Sequence, residues 1–133
     1  MNVAVLIPCL NEVTTIAGFI AELRGELPEA RIVVFDNGST DGSREAANRA
    51  GAEVVVVGPR GKGRVVSRMF QAIDADLYVL VDADGTYRAQ DVHALLAPIL
   101  RGEADMAVGL RQPVDAKAMK FFNRLGNTFF SWW

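Results

Sequence analysis

The sequence predicts an α/β sandwich, a mostly parallel sheet with helices on both faces. Three observations point there. Strand-like and helix-like segments alternate with little chain between them. The strand-like segments are nearly continuous apolar runs, as expected when helices cover both faces of a parallel sheet. Polar, acidic and glycine-rich residues collect after the strand-like segments, at one edge of such a sheet.

The elements follow in order. "VAVLI" (3–7) is a strand, and an amphipathic stretch over 14–27 follows it. "RIVVFD" (31–36) is a second strand and "REAANRA" (44–50) a helix closed by Gly51, since glycine ends helices in the left-handed region. "AEVVVV" (52–57) runs to Gly58-Pro59, and Val65, Val66, Met69, Phe70 and Ile73 then recur at helical spacing. "LYVLVD" (77–82) is a fourth strand, followed by a helix over 92–100. "DMAVGL" (105–110) reads as a fifth strand, and a last helical stretch starts near Ala116.

A chain of 133 residues makes one modest domain, spanning 1–133. Half of the residues are hydrophobic and 23% are charged, which excludes disorder. The net charge of −2 and the lack of a basic run argue against nucleic acid as a partner. Cys9 is the single cysteine, so there is no disulfide framework, and the composition suits the cytoplasm. No segment has the length of a membrane span.

The run Leu77 to Val81 ends directly in "DADG" (82–85). In extended chain residues i and i+2 point to one side, so Asp82 and Asp84 would lie together and call for a cation. Mg²⁺ or Mn²⁺ fits, since such hard cations are held by one or two carboxylates together with substrate phosphates. Acidic residues at a helix start would give the same pattern without a metal. In "DNGSTDGS" (36–43), Ser39, Thr40, Gly42 and Ser43 suit a plain turn and Asp41 a helix N-cap, whereas Asp36 and Asn37 suit hydrogen bonds to a nucleobase or ribose. "GPRGKG" (58–63) lacks the Ser or Thr of a P-loop. Lys62 there is either a partner for a diphosphate or a solvated lysine. His93 is the only histidine, which excludes a histidine-based zinc site, and Cys9 reads as buried filler.

Taken together, "VAVLIPCLNE", "VVFDNGSTDGS", "GKG", "VLVDADGTY" and "MAVGLR" resemble the family 2 glycosyltransferases in order and spacing. The closest likeness is to bacterial members and to dolichol-phosphate mannose synthase-like enzymes. The resemblance implies a GT-A, Rossmann-like three-layer α/β/α fold and an inverting transfer from a nucleotide-diphosphate sugar. It implies that Pro8, Glu12, Asp36 and Asn37 line the nucleoside pocket and that Asp82 and Asp84 hold the metal. Arg111 and Arg124 resemble the arginines that meet an acceptor phosphate in lipid-phosphate-using members. The family often has two acidic residues where Asp36-Asn37 stands, and some lipid-phosphate-using relatives have Gln at the place of Thr86. The family's catalytic domain continues well past the equivalent of Trp133, so the chain resembles the donor-binding part of a longer enzyme, or a shortened relative.

A departing nucleoside diphosphate needs its developing charge neutralised, by a divalent cation with Lys62 as helper. A hydroxyl acceptor needs a general base, whereas a phosphate acceptor is already an anion. No carboxylate beyond the metal pair stands out as a base, which favours a polyprenyl phosphate as acceptor, with a growing glycan as the other acceptor in view. A sugar nucleotidyltransferase and a non-catalytic nucleotide-sugar-binding module are the alternatives. Residues 112–133 are a candidate acceptor or membrane-interface segment. Six of the eleven aromatics fall in the last 13 residues, with Lys117, Lys120 and Arg124 near them. Such a helix suits either packing on further domain parts or peripheral contact with the cytoplasmic membrane face.

Overall fold

A computed structural model describes residues 1–110. Its elements are β1 (Val3–Cys9), α1 (Ile16–Glu26), β2 (Arg31–Asp36), α2 (Ser43–Arg49), β3 (Glu53–Val56), α3 (Lys62–Ala72), β4 (Leu77–Leu80), a 3-10 turn (Ala89–Asp91) and α4 (Val92–Leu100). The four strands form one parallel sheet in the order β3-β2-β1-β4. The α/β expectation therefore holds.

Alternation along the strands builds two cores. Val5, Ile7 and Cys9 of β1 and Ile32 and Val34 of β2 share one core with Ile16, Phe19, Ile20 and Leu23 of α1, Ala47 of α2, and Val92 and Leu96 of α4. Ala4, Leu6, Val33 and Phe35 point the other way, onto Val65 and Met69 of α3. The four buried positions of α1 are spaced i, i+3, i+4, i+7, one helical face. Each fully buried aliphatic or phenyl side chain contributes roughly 1.5–3 kcal/mol relative to exposure.

Connection handedness explains the layers. The chain steps from β1 to β2 to β3 across the sheet with α1 and α2 on one face, then returns past β1 to β4 with α3 on the other. Right-handed crossovers require that change of face when the direction of travel reverses. The reversal puts the switch point between β1 and β4, and open α/β sheets bind ligands beyond the carboxyl ends of the strands at such a point.

Boundaries moved where loops took over. Glu12 C=O accepts from Thr15 N–H and Ile16 N–H (3.2 and 2.9 Å), so a turn precedes α1 and the helix starts at Ile16 rather than near Thr14. The expected fifth strand, 105–110, is not a strand. Among the described residues no partner pairs with it, and Met106, Val108 and Leu110 are exposed. An alternating apolar segment becomes a strand only where a neighbouring edge receives its N–H and C=O groups. The helical stretch near Ala116 lies outside the described residues.

Candidate functional site

Two loops at the carboxyl edge are laced together by side chains. In the loop after β1, Asn11 N–H donates to Ser39 Oγ (2.9 Å), Glu12 N–H to Ser43 Oγ (2.8 Å) and Val13 N–H to Asp41 Oδ2 (3.1 Å). In return Thr40 N–H donates to Asn11 Oδ1 (2.9 Å). Asn11 adopts a left-handed φ of 54°, which asparagine tolerates better than most residues. Gly42, with φ 90°, holds the N-cap position that the sequence suggested for Asp41. Asp41 works one residue earlier, accepting from Ser43 N–H and Ser43 Oγ–H (3.0 and 2.5 Å). The Ser43 hydroxyl and the backbone N–H groups of Val13 and Ser43 hold the Asp41 carboxyl below its ordinary range, against desolvation.

Asp36 closes β2 and is fully buried. Its Oδ2 accepts from Gly38 N–H and Ser39 N–H (both 3.3 Å) and from Arg44 (Nη2 at 2.9 Å). Burial pushes this carboxyl up, but the bonds from Ser39 and the Arg44 guanidinium outweigh it and keep the group below its usual range. Oδ1 of Asp36 is buried without a hydrogen-bond partner among the described residues. An orphan buried acceptor is costly, and a donor from a ligand would satisfy it.

Asn37 turns to the protein itself. Its amide nitrogen donates to the C=O groups of Val57 (2.7 Å) and Pro59 (3.3 Å), and its Oδ1 accepts from Gly61 N–H (2.8 Å). One buried side chain thus spans the whole loop from β3 to α3. Asn37→Ala is expected to cost about 1–2 kcal/mol, because it strips buried backbone groups of partners. Urea unfolding measures it, and a loss below a few tenths would mean that water replaces the amide.

At the end of β4 the two aspartates flank buried Ala83. The Thr15 hydroxyl donates to Ala83 C=O, tying this loop to the start of α1. Lys62 Nζ, at the N-terminus of α3, lies 3.0 Å from both Oδ1 and Oδ2 of Asp82. Asp84 Oδ1 accepts from Thr86 N–H (3.0 Å) and Thr86 Oγ–H (2.5 Å). Glu12 is raised above its ordinary value, first by partial burial and then by the charges of Asp84, Asp41 and Asp82. Four carboxylates from three loops therefore share one field. Pro8 lies at the same edge, where its missing N–H is tolerated because the β4 ladder ends at Leu6.

Residues expected to be bland are bland. His93 Nε2 sits 2.8 Å from Glu26 Oε2, joining α4 to α1 away from this edge. Cys9 is buried, and burial pushes its thiol up. Arg44, Ser43, Thr15 and Asn11 are the site-building residues that the sequence reading did not single out. Arg111, Arg124 and the 112–133 segment lie outside the described residues.

The model of the family "Glycosyl transferase family 2" matches residues 4–130. The chain belongs to this family. It is 46% identical over 111 residues to protein RfbJ of Shigella flexneri, covering 84% of this chain and 86% of that one. It is 42% identical over 127 residues to glycosyltransferase AglJ of Haloferax volcanii, covering 94% of this chain but 41% of that protein. Among solved structures it resembles glucosyl-3-phosphoglycerate synthase from Mycobacterium tuberculosis in complex with Mn²⁺, UDP-glucose and phosphoglyceric acid. That likeness has a TM-score of 0.67 and 30% identity, over 77% of this chain and 40% of the synthase. The chain thus spans less than half the length of two of these three relatives. The α/β fold of the family is common ground between sequence and structure.

Proposed function

We propose that this chain carries the donor site of an inverting glycosyltransferase. It would move a sugar from a nucleotide-diphosphate sugar to an acceptor, with a polyprenyl phosphate as the acceptor that its residues support. The observation that carries this reading is the acidic edge at the switch point, where Asp82 and Asp84 act on Glu12 and Asp82 has already drawn a cation, the Lys62 ammonium. That donor set suits Mg²⁺ or Mn²⁺, because two carboxylates leave positions for phosphate oxygens and water. A relative that binds Mn²⁺ and UDP-glucose supports the same choice. Asp82 and Asp84 would hold the ion, which when bound supplies Lewis-acid neutralisation of the diphosphate leaving group.

The chain's own residues do the rest. Pro8 and Glu12 border the nucleoside, and the free Oδ1 of Asp36 takes a donor from base or ribose. Asn37 holds the 57–61 loop against which the nucleotide rests. Lys62 meets the diphosphate. In the reaction the bond from the anomeric carbon to the diphosphate oxygen breaks, and an acceptor oxygen bonds that carbon from the opposite face. A phosphate acceptor enters as an anion and requires no base, and Arg111 and Arg124 are proposed to hold it. Among the described residues no helix is long and apolar enough to cross a membrane. Peripheral attachment at the cytoplasmic face through residues 119–133 is part of this proposal, as is a place in cell-envelope polysaccharide synthesis.

The test is a panel of UDP-, GDP- and dTDP-sugars with Mn²⁺ or Mg²⁺ and three acceptor arms: polyprenyl phosphate, a glycan, and none. The expected result is nucleoside diphosphate release that needs both the divalent ion and polyprenyl phosphate. Release of pyrophosphate would identify a nucleotidyltransferase. Tight donor binding without turnover in any arm would leave a binding module.

A further inference from the structure

Lys62 is the first residue of α3 and stands between Gly61 and Gly63. Its ammonium is equidistant from the two carboxylate oxygens of Asp82, at 3.0 Å each, so it straddles the group as a small cation would. Packing does not force this contact. The lysine side chain is 69% exposed and that of Asp82 23%. The backbone beneath it is fixed, because Gly61 N–H is held by Asn37 and Gly61 C=O accepts from Arg64 and Val65 N–H (3.1 and 3.2 Å). The flexible four-carbon stem is free to swing while its anchor stays put.

We infer that Lys62 is a built-in counter-ion that occupies the cation position on Asp82 until a nucleotide diphosphate arrives. The inference rests on the reading above, in which Asp82 and Asp84 meet a divalent ion. An ammonium and a divalent ion cannot both take the same carboxylate lone pairs, and their charges repel. Metal entering alone must displace the lysine into water with no new partner for it. Metal entering with a diphosphate gives the lysine an anion to move to. The two ligands therefore help one another bind, and by linkage each raises the affinity of the other by the same factor. The acidic edge is thereby kept from holding metal ions in the absence of donor.

The experiment uses the full chain and follows free Mn²⁺ by electron paramagnetic resonance, with and without UDP, and with GDP in parallel. Lys62→Met is expected to bind Mn²⁺ about three- to tenfold more tightly than wild type without nucleotide, on the scale of an exposed ion pair next to a divalent charge. It is expected to bind the nucleotide more weakly, and the gain in Mn²⁺ affinity on adding nucleotide should shrink. Changes of opposite sign in the two affinities do not arise from a loosened fold. Lys62→Gln should behave alike, and neither substitution should tighten Mn²⁺ binding in an Asp82→Ala background. If Lys62→Met binds Mn²⁺ no better than wild type, while nucleotide still promotes Mn²⁺ binding to wild type, the counter-ion role is overturned and the metal site stands. If wild type takes up no Mn²⁺ even with nucleotide, the donor-site reading falls and this inference with it.

Discussion

Asp82→Ala is expected to lower sugar transfer by about a thousandfold while leaving the fold intact. The ion pair it breaks is largely exposed on the lysine side, and such pairs contribute about 0–1 kcal/mol. Its backbone neighbours do not depend on it, since Ala83 is held by Thr15 and the β4 ladder ends at Leu80. Lewis-acid stabilisation of a leaving diphosphate, in contrast, amounts to several kcal/mol, and about 4 kcal/mol corresponds to roughly a thousandfold in rate. Turnover numbers set beside thermal melting curves separate the two effects. A chelator should reduce the wild type to the level of the variant and change the variant little. Retained, chelator-sensitive turnover in Asp82→Ala would remove this residue from the metal site. Asp84→Ala should act in the same direction, with the added loss of its bonds to Thr86.

The second large effect lies at Asp36, and it is mainly one of stability. Asp36→Ala would leave Arg44 and the N–H groups of Gly38 and Ser39 without their buried acceptor. Breaking a buried ion pair costs about 3–5 kcal/mol. Arg44 is partly exposed and can be hydrated in its new state, so about 2–3 kcal/mol is expected in chemical denaturation. The pH dependence has a definite sign. Folding lowers the pKa of Asp36, so its contribution is present above the unfolded carboxyl value of about 4 and is lost as the pH falls through the lower folded value. Wild type should lose more stability than Asp36→Asn below about pH 4. Parallel curves for the two proteins would mean that the Arg44 pair contributes nothing. Nucleotide affinity in Asp36→Asn, measured with and without metal, separates base contact from metal contact.

The sequence made the strand cores legible for a simple reason. Runs such as Ile32 to Phe35 are apolar at every position, and only a strand covered on both faces needs that. It failed at 105–110 because alternation reports a willingness to pair, whereas pairing depends on an edge supplied from elsewhere. Asp36, Asp82 and Asp84 were visible because each follows an apolar run and precedes turn formers. Their partners were not. Lys62 reaches Asp82 through the order of strands in the sheet, which local pattern does not encode, and Arg44 reaches Asp36 through the fold of the loop that follows β2. One signal was available for Arg44: a cation in the first turn of a helix opposes the helix dipole, which calls for a nearby anion. Asn37 was legible as a polar residue at the edge but not as one facing inward, because the two-residue period stops where the strand does.

The lacing of residues 11–13 to residues 39–43 also bears on how a donor would be met. Four side chain–backbone bonds hold two stretches of irregular chain that, left alone, would sample many conformations. Immobilising a single such side chain at a binding surface costs about 0.5–1.5 kcal/mol, and here that entropy is surrendered during folding rather than during capture. A nucleotide arriving at this edge finds a surface already in shape. Its association should then be limited by diffusion and charge, and its affinity should follow contact chemistry rather than the work of ordering a loop.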